Sequence, residues 1–483
     1  MSEVKLEDIV SLCKRRGFVY PGSDVYGGLS GTWDYGPLGV ALKRNIMQLW
    51  WKMFVDDVDN MHGVDAAILM NQKVWQASGH TETFTDPLVE CSNCHARFRV
   101  DKIVDAQYYK DYVGELEKAN SEALEDTVTN EIGDQIRAAR AFMGPFAQKA
   151  INGHVKCSVC SKSTWDEPKQ FNMMFKTNVG PVADEYSVSY LRPETAQGIF
   201  TNFKNVVDSF YPDIPFGLAQ QGKAFRNEIS PRDFVFRSRE FEQMEIEYFV
   251  HPDNWEAAFE EWIKKVHEWT DALGLPATSV HELEVEEADR AHYSKRTVDF
   301  EFDFPIGREE LLGLAYRTDF DLINIQNASK KSMEYRPKDG GAPFVPHVIE
   351  PSFGVERAFM AVLSAAYKED EQNGEKRRYL ALPKHLAPVK VAVSPLLKNK
   401  PELVDKAREV YSMLKKEFGA VMWDDNGNIG KRYRRQDEIG TPYCVVIDFD
   451  TLEGDTAGTV TVRDRDTTEQ TRVPIDELIA KLT

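Results

Sequence analysis

Between Phe225 and Phe249, arginines and glutamates alternate with aromatic and apolar residues at the period of a β-strand. Arg226-Asn227-Glu228 leads into a loop at Ser230-Pro231-Arg232-Asp233, and Phe236-Arg237-Ser238-Arg239-Glu240-Phe241 leads out of it. Side chains alternate across a strand, so Arg237, Arg239, Phe241, Gln243 and Glu245 share one face while Glu242, Met244, Ile246 and Tyr248 share the other. The first face is a poor core. It suits a charged, phosphate-bearing ligand, because arginine forks match phosphate oxygens and an aromatic ring can stack on a base. A hairpin with a solvated, ion-paired face would use the same residues. A further cation, Arg357, falls in the first turn of a predicted helix, where the macrodipole disfavours positive charge unless an anion is close. That position points to a phosphate. A surface arginine paired to Glu356 or another acid is the alternative.

The elements that must position these residues are a strand–loop–strand hairpin over the first stretch and a strand running into a helix over Pro346–Leu363. Gly354 is the expected hinge of the second, with Val355, Ala358, Phe359, Val362 and Leu363 as its buried stripe. Nearer the amino terminus a helix is expected from Gly39 to Phe54, made unusually apolar by Met47, Trp50, Trp51 and Phe54, with a strand around Ala66 to Met70 after it. Beyond Pro383–Pro388 the pattern changes. A strand (Val389 to Val393), a helix (Glu402 to Phe418, with Leu403, Ala407, Val410, Leu414 and Phe418 inward), a strand, a helix and a strand (Cys444 to Asp448) imply a small mixed or parallel α/β sheet. Lys431-Arg432-Tyr433-Arg434-Arg435 lies in that unit, on a predicted helix after a Gly-rich turn, as a basic surface or simply a solvated face.

Of six cysteines, four form two CxxC pairs, Cys91/Cys94 and Cys157/Cys160, each with the spacing of half a zinc knuckle. In a cytosolic chain such pairs point to metal before disulfide. They stand roughly sixty residues apart, more than the usual zinc-ribbon spacing. His95 and His154 are adjacent spare ligands or merely exposed. The insert between the pairs, Asp101 to Phe146, is charged and helical in pattern. The 483 residues suggest two to four domains, and 42% hydrophobic content is ample for sizeable cores. No apolar run approaches a membrane span, and the start lacks a basic segment followed by an apolar one, so a cytoplasmic location is expected. The formal net charge of -19 argues against indiscriminate nucleic-acid binding, but a local basic surface can still bind RNA.

The Arg226 to Phe241 stretch resembles motif 2 of the class II aminoacyl-tRNA synthetases, and Pro346–Leu363 resembles their motif 3. A series of further matches, in order, is similar to the dimeric glycyl-tRNA synthetases: Tyr26-Gly27-Gly28-Leu29-Ser30-Gly31, Trp33-Asp34-Tyr35-Gly36-Pro37, Trp75 to His80, Arg97 to Asp101, Arg192-Pro193-Glu194-Thr195, Glu310-Leu311, Arg317-Thr318-Asp319 and Glu350-Pro351-Ser352. The resemblance spans nearly the whole chain. It implies an α+β catalytic domain built on an antiparallel sheet over residues 1–385, carrying the CxxC insert at about 91–160. A carboxy-terminal α/β anticodon-binding domain, shared with histidyl, prolyl and threonyl enzymes, would follow over 386–483.

The resemblance also implies roles. Arg226 would hold the α-phosphate of ATP and the substrate carboxylate, Phe241 would stack on adenine, and Arg357 would contact the γ-phosphate. ATP-binding positions would further include Asn227, Glu228, Phe236, Arg237, Ser238, Arg239, Glu240, Leu311, Arg317, Gly354, Val355 and Glu356, with Glu310 a candidate ligand for Mg²⁺ bridging phosphate oxygens. The glycine pocket would draw on Arg99, Glu194, Phe241, Glu242, Gln243, Met244, Glu245, Glu350, Pro351, Ser352, Phe353 and Gly354. Glutamates there supply the field an ammonium needs, and Ser352 closes the space a side chain would occupy. A pocket smaller than any competitor needs no second sieve, so no editing activity is expected. Phosphoryl chemistry asks for positioning and charge neutralisation, so no covalent catalyst is assigned. The implied partners are glycine, ATP and the glycine tRNA, the last touched by Lys431, Arg432, Arg434 and Arg435. A homodimer would form through the Gly39–Phe54 helix and the following strand, although Asn71-Gln72-Lys73 stands where the family usually has proline. Cys91, Cys94, Cys157 and Cys160 are candidate structural zinc ligands. Two other readings remain open: a sister synthetase for proline, threonine or histidine, and a non-catalytic synthetase-like nucleic-acid-binding subunit, in which loss of the motif arginines would be expected.

Overall fold

The computed structural model describes residues 4–122, 129–182, 184, 187–287, 289–291, 293–372 and 374–483. The helical reading of the insert covers 123–128, which lie outside the described residues; on either side, helices run over Ala106–Glu122, Thr129–Arg140 and Gly144–Ile151.

A seven-stranded sheet carries the site. Its strands are β1 (Met61–Gly63), β2 (Phe216–Phe225), β3 (Glu240–Val250), β4 (Val280–Glu284), β5 (Arg296–Phe304), β6 (Gly307–Thr318) and β7 (His347–Gly354), in the spatial order β4-β5-β6-β7-β3-β2-β1. All neighbours are antiparallel except β1, which pairs parallel to β2 at the edge. Alternation divides the sheet as expected. Met244 and Ile246 of β3 and Ile349 and Phe353 of β7 are fully buried in the main core. There they meet helix α1 (Pro37–Trp51), helix α3 (Trp255–Ala272) and helix α4 (Val355–Ala366). The opposite face bears Gln243, Glu245 and Glu350, and helix α2 (Ala196–Phe210) packs against it through Phe200 and Phe203.

Two expectations are corrected by the structure. The strand after α1 lies at Met61–Gly63, not Ala66–Met70, where among the described residues the only strand-type pairing is an isolated bridge from Leu69 to Leu191. The chain has already turned off the sheet, and the Ala66 carbonyl accepts from Arg192 Nη1 at 2.8 Å instead of a ladder partner. The second motif strand begins at Glu240, so Arg237 and Arg239 precede it, after a short helical turn over Phe234–Phe236. Gly354 stands at the strand-to-helix change as expected, with φ −86° and ψ 120°, ordinary extended backbone. Trp50 and Phe54 are fully buried core residues. Trp51 and Met47 pack on that core from its margin.

The carboxy-terminal unit has its own core around Val391, Val393, Leu403, Ala407, Val410, Leu414, Val445 and Ile447. Strands β8 (Val391–Pro395), β9 (Val421–Trp423) and β10 (Tyr443–Ile447) are parallel, with helices α5 (Pro401–Phe418) and α6 (Ile429–Glu438) as connections. An antiparallel hairpin, β11 (Thr459–Asp464) and β12 (Gln470–Pro474), extends the sheet beside β10. No helix among the described residues is long and apolar enough to cross a membrane.

Candidate active site

A cavity of about 250 Å³ opens over the β3, β6 and β7 end of the sheet. From the hairpin it takes Arg226, Glu228, Phe236, Arg237, Ser238, Phe241 and Gln243; from β6, Glu310 and Leu311; from β7 and α4, Ser352, Gly354, Glu356 and Arg357; from the insert, Arg99. Residues far apart in sequence therefore converge. The loop between β2 and β3 is tied to the amino-terminal region: Gly31, with φ +75°, lies so close to Pro231 that a Cβ would stand 2.5 Å from it, and the Arg239 N–H donates to the Gly31 carbonyl at 2.7 Å.

Four arginines rim this cavity. The guanidinium of Arg226 lies 5.3 Å from the Phe241 ring and 5.4 Å from the Phe84 ring, with Nε donating to the Pro193 carbonyl at 3.1 Å. Arg357 lies 4.8 Å over Phe236 and pairs with Glu310 at 2.9 Å, so the anion that the helix N-terminus calls for is internal here. That pairing, with help from the more distant Arg226 and Arg237, outweighs burial and holds the Glu310 carboxyl below the usual range. Arg99 forms ion pairs with Asp86 at 2.5 Å and Asp101 at 2.9 Å.

Beyond Gln243 and Ser352 the chemistry changes sign. Glu245 accepts from Thr195 Oγ1 at 2.5 Å and Ser352 Oγ at 2.7 Å, opposite which it sits in the β3–β7 register. Glu350, two residues along β7, receives both contacts of an Arg317 Nη1 fork at 2.8 and 2.9 Å. Glu194, just before α2, lies 3.4 Å from His80 Nε2 through one oxygen, while its other oxygen is buried with no hydrogen-bond partner. Glu247 is fully buried and neither of its oxygens finds a partner. Burial, then neighbouring Glu350, drives its carboxyl well above the ordinary range. Burial also raises Glu245, with Glu194 adding to the effect. Glu194 is the exception: its burial is outweighed by His80, Arg317 and Arg226, which keep it ionised.

Several of the expected site residues stand elsewhere. Arg317 is 1% exposed and wholly committed to Asp321 and Glu350, with its guanidinium 3.8 Å over Tyr293, so it is an internal counter-ion and not a free clamp for a triphosphate. Arg239 spends its fork on the carbonyls of Ser30 and Glu228, and Glu240 pairs with Lys223 at the surface. Asn227 donates its backbone N–H to Met173 and does not line the cavity. Glu242 faces the other side of β3, where it pairs with Lys43 at 2.5 Å. Met244, Phe353 and Val355 are core, and Pro351 shares the Phe353 side of β7. Sequence reasoning missed Thr195 and His80 as partners of Glu245 and Glu194, and Asp321 as a partner of Arg317. Only Asp321 left a signal, four residues after Arg317.

The basic run of α6 is largely inward. Arg432 is 3% exposed and donates to the carbonyls of Pro395 and Gly427. Arg435 pairs with Asp424 at 2.6 Å. The i, i+3 spacing turns both toward the sheet, leaving Lys431 exposed and Arg434 beside Glu375 at 3.8 Å.

The four paired cysteines do converge. Their sulfurs all lie within 4.8 Å of one another, with Cys91 to Cys160 at 3.7 Å and Cys94 to Cys157 at 3.6 Å. A tetrahedral zinc with Zn–S bonds of about 2.3 Å sets its sulfurs roughly 3.8 Å apart, so the donor set fits that ion. The adjacent histidines are engaged elsewhere: His95 with Glu90 at 2.8 Å, and His154 against the Tyr108 ring.

A basic recess beside a buried acidic one can take a ligand that is anionic at one end and cationic at the other, such as an amino acid joined to a nucleotide phosphate. Comparison with known proteins agrees with this. Residues 175–366 match the model of the tRNA synthetase class II core domain (G, H, P, S and T), and residues 390–483 match that of the anticodon binding domain. The glycine–tRNA ligase of Deinococcus radiodurans is 46% identical over 99% of this chain and 98% of its own. Those of Clostridium kluyveri and Thermus thermophilus are 46% and 44% identical over 99% of this chain and 97% and 98% of theirs. Matched from end to end and carrying both recesses, the chain belongs to the glycine–tRNA ligases, within the class II aminoacyl-tRNA synthetases.

Proposed function

We propose that this enzyme activates glycine with ATP, releasing pyrophosphate, and passes glycine from the adenylate to the 3′ end of the glycine tRNA, through the residues described above. The glycine carboxylate attacks the α-phosphorus. Arg226 neutralises the α-phosphate and carboxylate and Arg357 the outer phosphates, while Glu310 would hold the Mg²⁺ that would supply further charge neutralisation for the triphosphate. The ring of Phe241 forms one wall for adenine. Glu194 and Glu245 take the ammonium, while Gln243 and Ser352 separate the two recesses and leave room for bare Cα hydrogens only.

One observation carries this reading. The acidic recess gathers Glu194, Glu245, Glu247, Glu350 and Asp321 around one arginine, Arg317, and leaves an oxygen of ionised Glu194 buried without a donor. A buried carboxylate of that kind is costly until a cation arrives, and an ammonium supplies both the charge and the hydrogen bonds.

The division of labour follows the two sheets: residues 1–385 for activation and transfer, 386–483 for the anticodon, where Lys431 and Arg434 are the cations of α6 left to meet phosphate. The Cys91/Cys94/Cys157/Cys160 set would hold structural zinc. A cytoplasmic homodimer is the proposed form; the exposed rings of Phe210 and Tyr211 near the edge strand β1 support a second copy docking there.

The test is ATP–pyrophosphate exchange offered each standard amino acid separately, first without tRNA and then with it. Exchange with glycine alone is expected. Exchange with another amino acid would move the chain to a sister specificity, and silence in both series would leave a non-catalytic module.

A further inference from the structure

We propose that His80 is a positioning residue of the glycine pocket: it fixes one oxygen of Glu194 so that the other is left for the substrate ammonium. The inference rests on the assignment of Glu194 made above. Each acid of the recess has its own holder. Glu245 has two hydroxyls and Glu350 has the Arg317 fork. For Glu194 the side-chain partner is His80, 3.4 Å from Oε2, and Oε1 has none.

The imidazole is itself held on every side. Ser78 Oγ lies 2.8 Å from Nδ1, and the ring is packed between Trp75 and Phe84, each with its centroid 5.4 Å away. Its backbone is anchored as well: Asn172 Nδ2 donates to the His80 carbonyl at 3.2 Å and the Thr81 carbonyl at 3.1 Å. The whole residue is 9% exposed. Nε2 faces Glu194 at 3.4 Å and Nδ1 faces Ser78 Oγ at 2.8 Å, so the ring links the carboxylate to the hydroxyl that holds it.

The test compares glycine KM, ATP KM and kcat in pyrophosphate exchange, with thermal unfolding as a check, for His80→Ala, His80→Gln, His80→Asn, Glu194→Ala and the His80→Ala/Glu194→Ala double variant. Loss of a group that orients a ligating side chain costs about 10- to 100-fold. His80→Ala should therefore raise glycine KM about tenfold and leave ATP KM in place. The amide nitrogen of Gln overlays Nε2 and should restore most of the loss; that of Asn overlays Nδ1 and should not. The double variant should be no worse for glycine than Glu194→Ala alone. Equal behaviour of the Gln and Asn variants, or additive losses in the double variant, would overturn the role of His80. If Glu194→Ala itself leaves glycine KM unchanged, the pocket assignment fails instead, and with it the premise.

Discussion

Arg357 and Glu310 face each other at 2.9 Å, one from the first turn of α4 and the other from β6, so each is the other's counter-ion before any nucleotide arrives. For Arg357 to reach a phosphate, Glu310 must find another cation, and Mg²⁺ is the one ATP brings. Glu310→Gln should therefore raise the Mg²⁺ concentration for half-maximal exchange about tenfold with less effect on glycine KM. Arg357→Ala should lower kcat/KM for ATP by about 10² to 10³, the usual loss when a preorganised charge partner is removed. An unaltered Mg²⁺ titration in Glu310→Gln would remove Glu310 from the metal.

The buried Arg317 holds Asp321 and Glu350 at once. Removing one member of such a network leaves uncompensated charge in the interior, at a cost of about 3 to 5 kcal/mol. Arg317→Ala is expected to lower the urea midpoint strongly. Arg317→Lys should recover little, because an ammonium cannot serve two carboxylates with the geometry of a fork. A near-native midpoint in either variant would mean that the acids are already neutral.

The parts of the fold readable from sequence are those in which local period and local contact coincide: the β2–β3 hairpin, the β7–α4 junction and the amphipathic α5, whose buried residues are among those its spacing predicts. Elements fixed by distant partners were less legible. Strand β1 is three residues long and is specified by pairing with β2, more than 150 residues later, so no local pattern marks its position. The β11–β12 hairpin went unread. In the site, charge type was visible but direction was not: the i, i+3 pattern of Arg432 and Arg435 reads as basic surface until the carbonyls of Pro395 and Gly427 and the carboxylate of Asp424 are seen to claim it. Thr195 and His80 reach Glu245 and Glu194 across 50 and 114 residues, separations that leave no spacing signal.

The cysteine cluster makes a stoichiometric prediction. Purified without chelator, the chain should carry about one zinc, lost on substituting Cys91 and Cys157 together with serine. A turn closed by the Cys91 N–H donating to the Ala96 carbonyl at 2.9 Å leads into the strand Arg97–Arg99, and the carbonyl of Arg97 accepts from Ser230 of the β2–β3 loop at 3.3 Å. Metal loss should therefore also expose the insert to protease. Full-length protein with no bound metal by atomic emission would refute the site.

Glu356 offers a stability switch that can be read by pH. It lies in the first turn of α4, buried, accepting the Glu242 N–H at 2.8 Å and the Tyr35 hydroxyl at 3.4 Å. Burial, assisted by neighbouring Glu242 and opposed by the Glu242 N–H and Lys43, lifts its carboxyl from 4.5 to about 7. The folded state thus binds this proton more tightly than the unfolded chain. The stabilisation is complete below about pH 4.5 and disappears as pH rises through about 7. Glutamine can accept the Glu242 N–H at its amide oxygen and donate from its amide nitrogen to the Tyr35 hydroxyl oxygen, and it never ionises. Glu356→Gln should match the parent near pH 5 and exceed it in stability above pH 7, by at most about 3 kcal/mol. Urea unfolding of both proteins at several pH values across that window decides the matter: curves that stay parallel would show that Glu356 does not titrate in the fold.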